Sequence, residues 1–342
     1  MKVSDKLDFI KKYKAGKAQI VQKELIADVE TPISSLIKIS KNEKYSFLLE
    51  SVEGGDQRGR FSLLGCDPDI IWRVKKKKVF IKTIDNKLNL SFLSNEPIKS
   101  LKQLIEISKI KLDLNAPPFP VLVGYLGYPM IQLMEKITLN NHDEINIPDA
   151  LMIRPKLVAV FDNIKDTINI MTSVYPNSNI NANIALNKAN KYIDQAIKKL
   201  EKDDSIKSVI KIKKNNKINF TSNYTRAEYY KIINKAKTYI NKGDIFQVVP
   251  SQRFYAKYDL NALTLYRSLR RLNPSPFLVN LNFDKFGLVA SSPEILVRLR
   301  NNKITIRPIA GTRKRGKNTN EDIELSKDLL NDNKELSEHL ML

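Results

Sequence analysis

The chain has 342 residues, 42% of them hydrophobic, with 13 Phe and 13 Tyr, enough for a sizeable core in two domains or one large one. Its single cysteine, Cys66, excludes an internal disulfide and fits a reducing, cytoplasmic setting, while no apolar run approaches the roughly 18 residues of a membrane span and Met1 to Lys17 lacks the apolar segment of a secretory signal. The net charge of +21 comes from lysine spread along the chain among Asn and Ile, not from one basic face, so it argues against a nucleic-acid-binding protein and leaves a general field for anionic partners.

In chain order, Leu7, Phe9, Ile10 and Tyr13 predict a short helix over 4–13. Tyr45 to Ser51 reads as a buried strand, closed by a turn at Glu53-Gly54-Gly55-Asp56. Arg60 to Gly65, Ile70 to Val74 and Val79 to Thr83 read as further strands, with Lys75 to Lys78 at a turn and Asp85-Asn86 after the last. A helix is expected from Pro97 to Ile110. Pro117-Pro118 breaks the chain, and Val121 to Tyr128 follows as a strand whose glycines suggest a bulge or a close backbone contact. Leu157 to Phe161 and Thr167 to Met171 read as a hairpin, and 182–201 as a helix with Ile184, Ala189, Ile193, Ala196 and Leu200 on one face. The charged stretch 201–219 is the best linker, dividing an N-terminal region, 1–200, from a second region, 220–342.

Beyond the linker, Thr225-Arg226-Ala227-Glu228 is a capping box, Tyr229 to Ile240 carries a helical apolar stripe, and Gly243 ends the helix. Ile245 to Phe254 reads as a strand that Pro250 confines to an edge or bulge. A short helix over 262–272 precedes two hairpins, Phe277 to Ala290 around Asp284-Lys285 and Ile295 to Ile309 around Asn301-Asn302, and Glu321 to Leu342 reads as one final helix. The sum is an α+β pattern of large, mostly antiparallel, sandwich-like sheets flanked by helices.

Several residues could carry chemistry. The strand from Ile304 runs into Ala310-Gly311-Thr312 and then Arg313, Lys314 and Arg315, a small-residue turn with a hydroxyl and cations that suits a small anion or is simply a basic surface turn. Gln247 interrupts an apolar strand, where its amide either makes a structural hydrogen bond or touches a ligand. Glu294 lies between two strands as a surface charge or a general acid. Glu335 and Glu338, three apart on a helix, form either a solvated acidic face or a pair of hard oxygen ligands for Mg²⁺. His142 and His339 are the only histidines, which disfavours zinc.

Taken together, Gly243 to Phe254, Leu272-Asn273-Pro274-Ser275-Pro276-Phe277, Ser291 to Glu294, Pro308 to Arg313 and Lys334 to Leu342 resemble, in that order, the chorismate-binding enzymes, and within them the anthranilate synthase large subunits (component I). Leu48 to Gly55 and Gly124 to Tyr128 resemble the N-terminal part of the same family. The resemblance implies a chorismate pocket between antiparallel sheets. Ammonia, supplied by a glutamine amidotransferase subunit (component II), would add to chorismate and yield anthranilate and pyruvate, the committed step towards tryptophan. It implies Glu294 as general acid, Gln247 and Thr312 as catalytic groups, Ala310, Gly311 and Thr312 against the substrate, and Mg²⁺ on Glu335 and Glu338.

Isochorismate-type relatives place a lysine where Gln247 stands, and aminodeoxychorismate synthases often place one where Ala310 stands. Neither amine is present here, which favours ammonia as nucleophile and leaves the aminodeoxychorismate synthase large subunit as the alternative. Glu50 and Ser51, with Pro276, Phe277 and Leu278, resemble the two halves of a tryptophan feedback site, with Phe277-Leu278 replacing the Tyr-Met often found there. Family members continue past the last of these motifs. The resemblance therefore implies a C-terminally truncated chain whose 220–342 region holds only part of the site, inactive alone and with open strand edges.

Overall fold

In a computed structural model of the protein, residues 3–41, 43–53, 57–84, 90–112, 116–139, 142–202 and 218–342 are described. In chain order they form α1 (Val3–Lys14), β1 (Gln19–Ile26), α2 (Pro32–Ile39), β2 (Tyr45–Glu50), β3 (Val52–Glu53), β4 (Gln57–Arg58), β5 (Phe61–Lys75), β6 (Lys78–Thr83), α3 (Pro97–Ser108), β7 (Val123–Leu126), a 3₁₀ turn (Tyr128–Leu133), β8 (Ala150–Asp162), β9 (Thr167–Val174) and α4 (Ala182–Leu200). After the linker come β10 (Thr221–Ser222), α5 (Arg226–Asn241), β11 (Phe254–Tyr255), α6 (Ala262–Leu272), β12 (Phe277–Phe283), β13 (Phe286–Ser292), β14 (Arg298–Arg300), β15 (Lys303–Thr305), α7 (Thr319–Asn331) and α8 (Asn333–Met341). No helix among the described residues is long and apolar enough to cross a membrane.

The α+β, antiparallel architecture expected from the sequence takes the form of one nine-stranded sheet, in the order β1-β9-β8-β5-β2-β12-β13, with β6 added to β5 and β7 to β8. The sheet crosses the expected linker, because β12 pairs with β2 and places Leu278 opposite Glu50. Residues 54–56 of the turn expected at 53–56, the turn at 85–86 and most of the linker lie outside the described residues.

The buried side chains fall into three clusters. On β5, Leu64 and Cys66 join a core with α1, α2, α4 and Tyr266 of α6, while Ile70, Trp72 and Val74, beyond the bulge, join Leu104 of α3. Ile71 packs in the third with Phe47, Ile153, Val158, Leu281 and Phe119. Trp72 is fully buried, and its Nε1 donates to Ser100 Oγ at 3.1 Å, so the indole loses no hydrogen bond on burial.

Four expectations need correction. The two strands read at 60–65 and 70–74 are one long strand, because the chain passes Pro68 as a bulge against β8, where the missing amide costs no ladder bond. The strand read from Val121 to Tyr128 shrinks to Val123–Leu126. Its Gly124 does make the expected close contact, for a Cβ there would lie 1.9 Å from the Leu151 carbonyl oxygen. Ile245 to Gln252 is not a strand; apart from Phe254–Tyr255 it has no ladder partner among the described residues, and an apolar run with no ladder does not become a strand. The final helix is two helices, broken at Asp332, whose side chain accepts from the Lys334 and Glu335 amides and so caps α8. Sequence punctuation elsewhere holds: Lys76 and Lys77, and Asn301 and Asn302, take positive φ at hairpin turns, and the Thr225–Glu228 capping box is formed in both directions.

Candidate active site

The second region brings together most of the residues singled out in the sequence. Gln247 Nε2 donates to Glu338 Oε1 at 3.1 Å across 91 residues of chain. Gly311 lies against Glu335 so closely that a Cβ on it would fall 1.6 Å from Glu335 Oε2. The Ile309 amide donates to Glu294 Oε1 at 3.2 Å, tying the Ser-Ser-Pro-Glu turn to the strand that leads into Ala310 and Gly311. Three contacts thus link Gln247, Glu294, Ala310-Gly311, Glu335 and Glu338 into one cluster. Thr312 is exposed beside it, with its carbonyl accepting from its neighbour Arg313. The acidic face of α8 is therefore not simply solvated: Glu335 and Glu338 are both half-buried and both contacted.

The cationic turn does not behave as its sequence suggests. Arg313 donates to Asp328 at 2.7 Å, to Asp332 at 2.8 Å and to Glu335 at 3.3 Å. The hydrogen bond to Asp328, with those to Asp332 and Glu335, holds the guanidinium above its ordinary pKa. Arg315 pairs with Asp322 at 2.7 Å. Arg313 is a clasp holding α7, α8 and the turn together, with its charge answered by three carboxylates rather than left for an anionic ligand. Asp332 is in turn held below the usual carboxylate range, first by the Glu335 amide and then by Arg313. Sequence reasoning missed this clasp; acidic residues at 15 and 19 positions beyond Arg313 carry no local periodic signal.

Two carboxylates one helical turn apart, each with one oxygen engaged by a protein donor and one remaining, form a hard-oxygen pair. Such a pair suits Mg²⁺, which keeps water and ligand oxygens in its shell. No group of three or more His, Cys, Asp or Glu is arranged to hold a metal ion among the described residues, so the pair would depend on other oxygens to complete a site.

Within the sheet, β2 and β12 place Glu50 beside Leu278, joining the two segments read as a feedback site. Glu50 is buried, and both its oxygens are already used: Tyr266 Oη donates to it at 2.6 Å, and Arg270 Nε and Nη2 at 2.8 and 2.9 Å. Glu50 is thus satisfied within the fold, since a buried carboxylate without these donors would be strongly disfavoured. Burial and the Glu50 charge push the Tyr266 hydroxyl pKa upwards, so it stays a donor. Neither Tyr266 nor Arg270 was singled out from the sequence. Their spacing along α6 gives the only signal, as both project from one helix face.

Comparison with known proteins gives a consistent set of relationships. The family described as chorismate binding enzyme matches residues 45–342. Anthranilate synthase component 1 of Cereibacter sphaeroides is 41% identical over 341 residues, covering 98% of this chain and 67% of that protein. The protein of the same name from Aquifex aeolicus is 37% identical over 322 residues, covering 93% and 64%. Among solved structures, anthranilate synthase component I from Streptococcus pneumoniae aligns with a TM-score of 0.68 at 27% identity, covering 93% of this chain and 66% of that one. The menaquinone-specific isochorismate synthase of Escherichia coli shares the fold at a TM-score of 0.52 and 12% identity, covering 99% and 66%. The chain thus spans about two thirds of the length of the relatives it matches.

Proposed function

The chain belongs to the chorismate-binding enzymes, and on that premise we propose that it acts as the large subunit of anthranilate synthase, a lyase that converts chorismate and ammonia to anthranilate, pyruvate and water. The observation that carries the reading is the contact of Gln247 with Glu338 and of Gly311 with Glu335, which draws motifs far apart in sequence into one cluster. That cluster has an amide at 247 and a methyl at 310, so neither position offers an amine to activate water or attack the ring. Ammonia then serves as nucleophile.

Within this reading Glu294, anchored by the Ile309 amide, delivers a proton to the departing ring hydroxyl, which is a poor leaving group as hydroxide. Loss of a ring proton and of the enolpyruvyl group, as pyruvate, completes aromatisation. Ala310 lets the substrate approach the backbone, Gly311 makes room for Glu335 beside it, and Thr312 offers a hydroxyl. Glu335 and Glu338 would hold Mg²⁺, which supplies neutralisation of a substrate carboxylate. Arg313 positions Glu335 rather than binding substrate. In this reading ammonia comes from a glutamine amidotransferase subunit; Cys66, 1% exposed and with burial raising its pKa, takes no part as a nucleophile. Tryptophan acts as feedback inhibitor where β2 meets β12. There Glu50, held by Tyr266 and Arg270, lies beside Ser51, and Pro276, Phe277 and Leu278 supply the opposing segment.

Product chromatography on the intact protein, supplied with chorismate, ammonium and Mg²⁺, tests the reading. Anthranilate is the expected product. Accumulation of isochorismate or aminodeoxychorismate rejects it. Unchanged turnover in saturating tryptophan rejects the regulatory part alone.

A further inference from the structure

A cavity of about 580 Å³ lies on the helix-covered face of the sheet, far along β5 from Glu50 and separate from the cluster around Gln247. It lies beside the core that α4 forms, with Ala185, Ala189 and Tyr192 of that helix lining it together with Asp67, Pro68 and Asp69 of β5. Its floor is the β5 bulge with β8 and β9, and its size falls in the usual range for a small-molecule site.

The bulge shapes its chemistry. Asp67 takes φ of +50° there, and the extra residue in β5 turns both Asp67 and Asp69 toward the cavity. Asp69 receives two hydrogen bonds from Arg154, at 2.7 and 2.6 Å, and the Arg154 guanidinium, 3% exposed, stacks 4.0 Å from the Tyr175 ring centroid. Asp67 accepts from the Tyr192 hydroxyl and lies 3.4 Å from Lys156 Nζ. Each carboxylate is thus answered by one cation. Lys188 of α4 lines the same cavity and has no acidic partner among the described residues, leaving one positive charge uncompensated.

The three tyrosines that line the cavity have committed hydroxyls. Tyr13 exchanges hydrogen bonds with the Asn177 backbone, Tyr175 donates to the Ser108 carbonyl at 3.1 Å, and Tyr192 donates to Asp67. Each ring has a neighbour on one face, Phe9 on Tyr13, the Arg154 guanidinium on Tyr175 and Lys156 Nζ on Tyr192, and with Ala185 and Ala189 the rings supply the apolar lining. An apolar lining, few free polar groups and one surplus cation at the rim define a complementary ligand. We infer that the cleft between α4 and the β5 bulge is a binding site for a small planar aryl carboxylate, its ring against the tyrosines and its carboxylate toward Lys188. The inference does not depend on the reaction proposed above.

Calorimetric titration of the intact protein with 2-naphthoate tests it, with the naphthylmethylammonium cation as the opposite-charge probe. The expected result is saturable binding of the anion only, weakened about tenfold in Lys188→Glu by loss and reversal of the partner charge. Lys191→Glu, one turn along α4 and outside the cavity, makes the same change to the net charge of +21 and is expected to bind as the parent does. A Lys188→Cys variant gives a second measurement. Saturating 2-naphthoate should slow its alkylation, while buried Cys66 stays silent. Equal weakening in the two charge-reversal variants, equal binding of the cation, absence of saturable heat, or unprotected alkylation at position 188 would each overturn the assignment.

Discussion

Helices α4 and α5 begin alike and end up in different surroundings. Each has a side-chain N-cap, Asn181 for one and Thr225 for the other, and each carries an apolar stripe. Yet α4 buries Ala185, Leu186, Ala189, Ile193, Ala196 and Leu200 against the sheet, while α5 buries no residue. Their wider regions differ in the same way. From α1 to α4, with the β12–β13 hairpin, apolar side chains fill cores on both faces of the nine-stranded sheet. In the segments that carry the candidate active site, Phe246, Val249, Leu296 and Leu299 are largely exposed. Capping and periodicity decide that a helix forms. Only a complementary surface decides whether its stripe becomes core.

If that contrast is right, the two regions should respond to different perturbations. The largest effect belongs to the exposed region and is chemical. Under the proposed reaction, Glu294→Gln should lower turnover of chorismate by about 10²–10⁴-fold, the range for removing a general acid, with an unchanged urea midpoint because the side chain is exposed. A parallel fall in midpoint would assign Glu294 to the fold instead. In the packed region, Asp69→Ala leaves the buried Arg154 guanidinium without its partner and should cost about 3–5 kcal/mol in urea unfolding. A cost below about 1 kcal/mol would mean that water or another acid replaces Asp69.

A matched pair of truncations sharpens the comparison directly. Ile193→Ala in α4 removes a fully buried side chain and should cost about 2–5 kcal/mol, whereas Ile240→Ala in α5, 43% exposed, should stay within about 0.5 kcal/mol. Equal costs would show that α5 is covered in solution. The smallest effect expected is a pH dependence seated in the sheet. Burial raises the Asp162 pKa, but the Arg60 hydrogen bond and the Ile164 and Lys165 amides outweigh it and hold the carboxyl below the usual range. With the folded pKa below the unfolded one, its stabilisation is complete above the unfolded value near about 3.9 and is lost as pH falls through the folded value. Asp162→Asn should therefore flatten the acid limb of a stability–pH profile and leave the slope above about pH 6 unchanged. An unaltered acid limb would remove Asp162 from that role.

Much of this molecule was legible along the chain, because its signals are local. Two asparagines at a hairpin turn tolerate the positive φ it requires, and a Thr and a Glu three residues apart cap a helix without outside help. The ordered motifs from Gly243 to Leu342 also pointed to the family that matches residues 45–342, since each is a short contiguous stretch. Other features exist only once distant segments meet. Gln247 reaches Glu338 across 91 residues, and Arg313 spends its charge on three carboxylates instead of an anion. Glu50 is satisfied by a tyrosine and an arginine more than 200 positions away. The apolar run from Ile245 to Val249 shows the limit most plainly. Its pattern is that of a strand, but a strand is a ladder of hydrogen bonds with a neighbour, and whether that neighbour is present is a property of the tertiary structure, not of the segment.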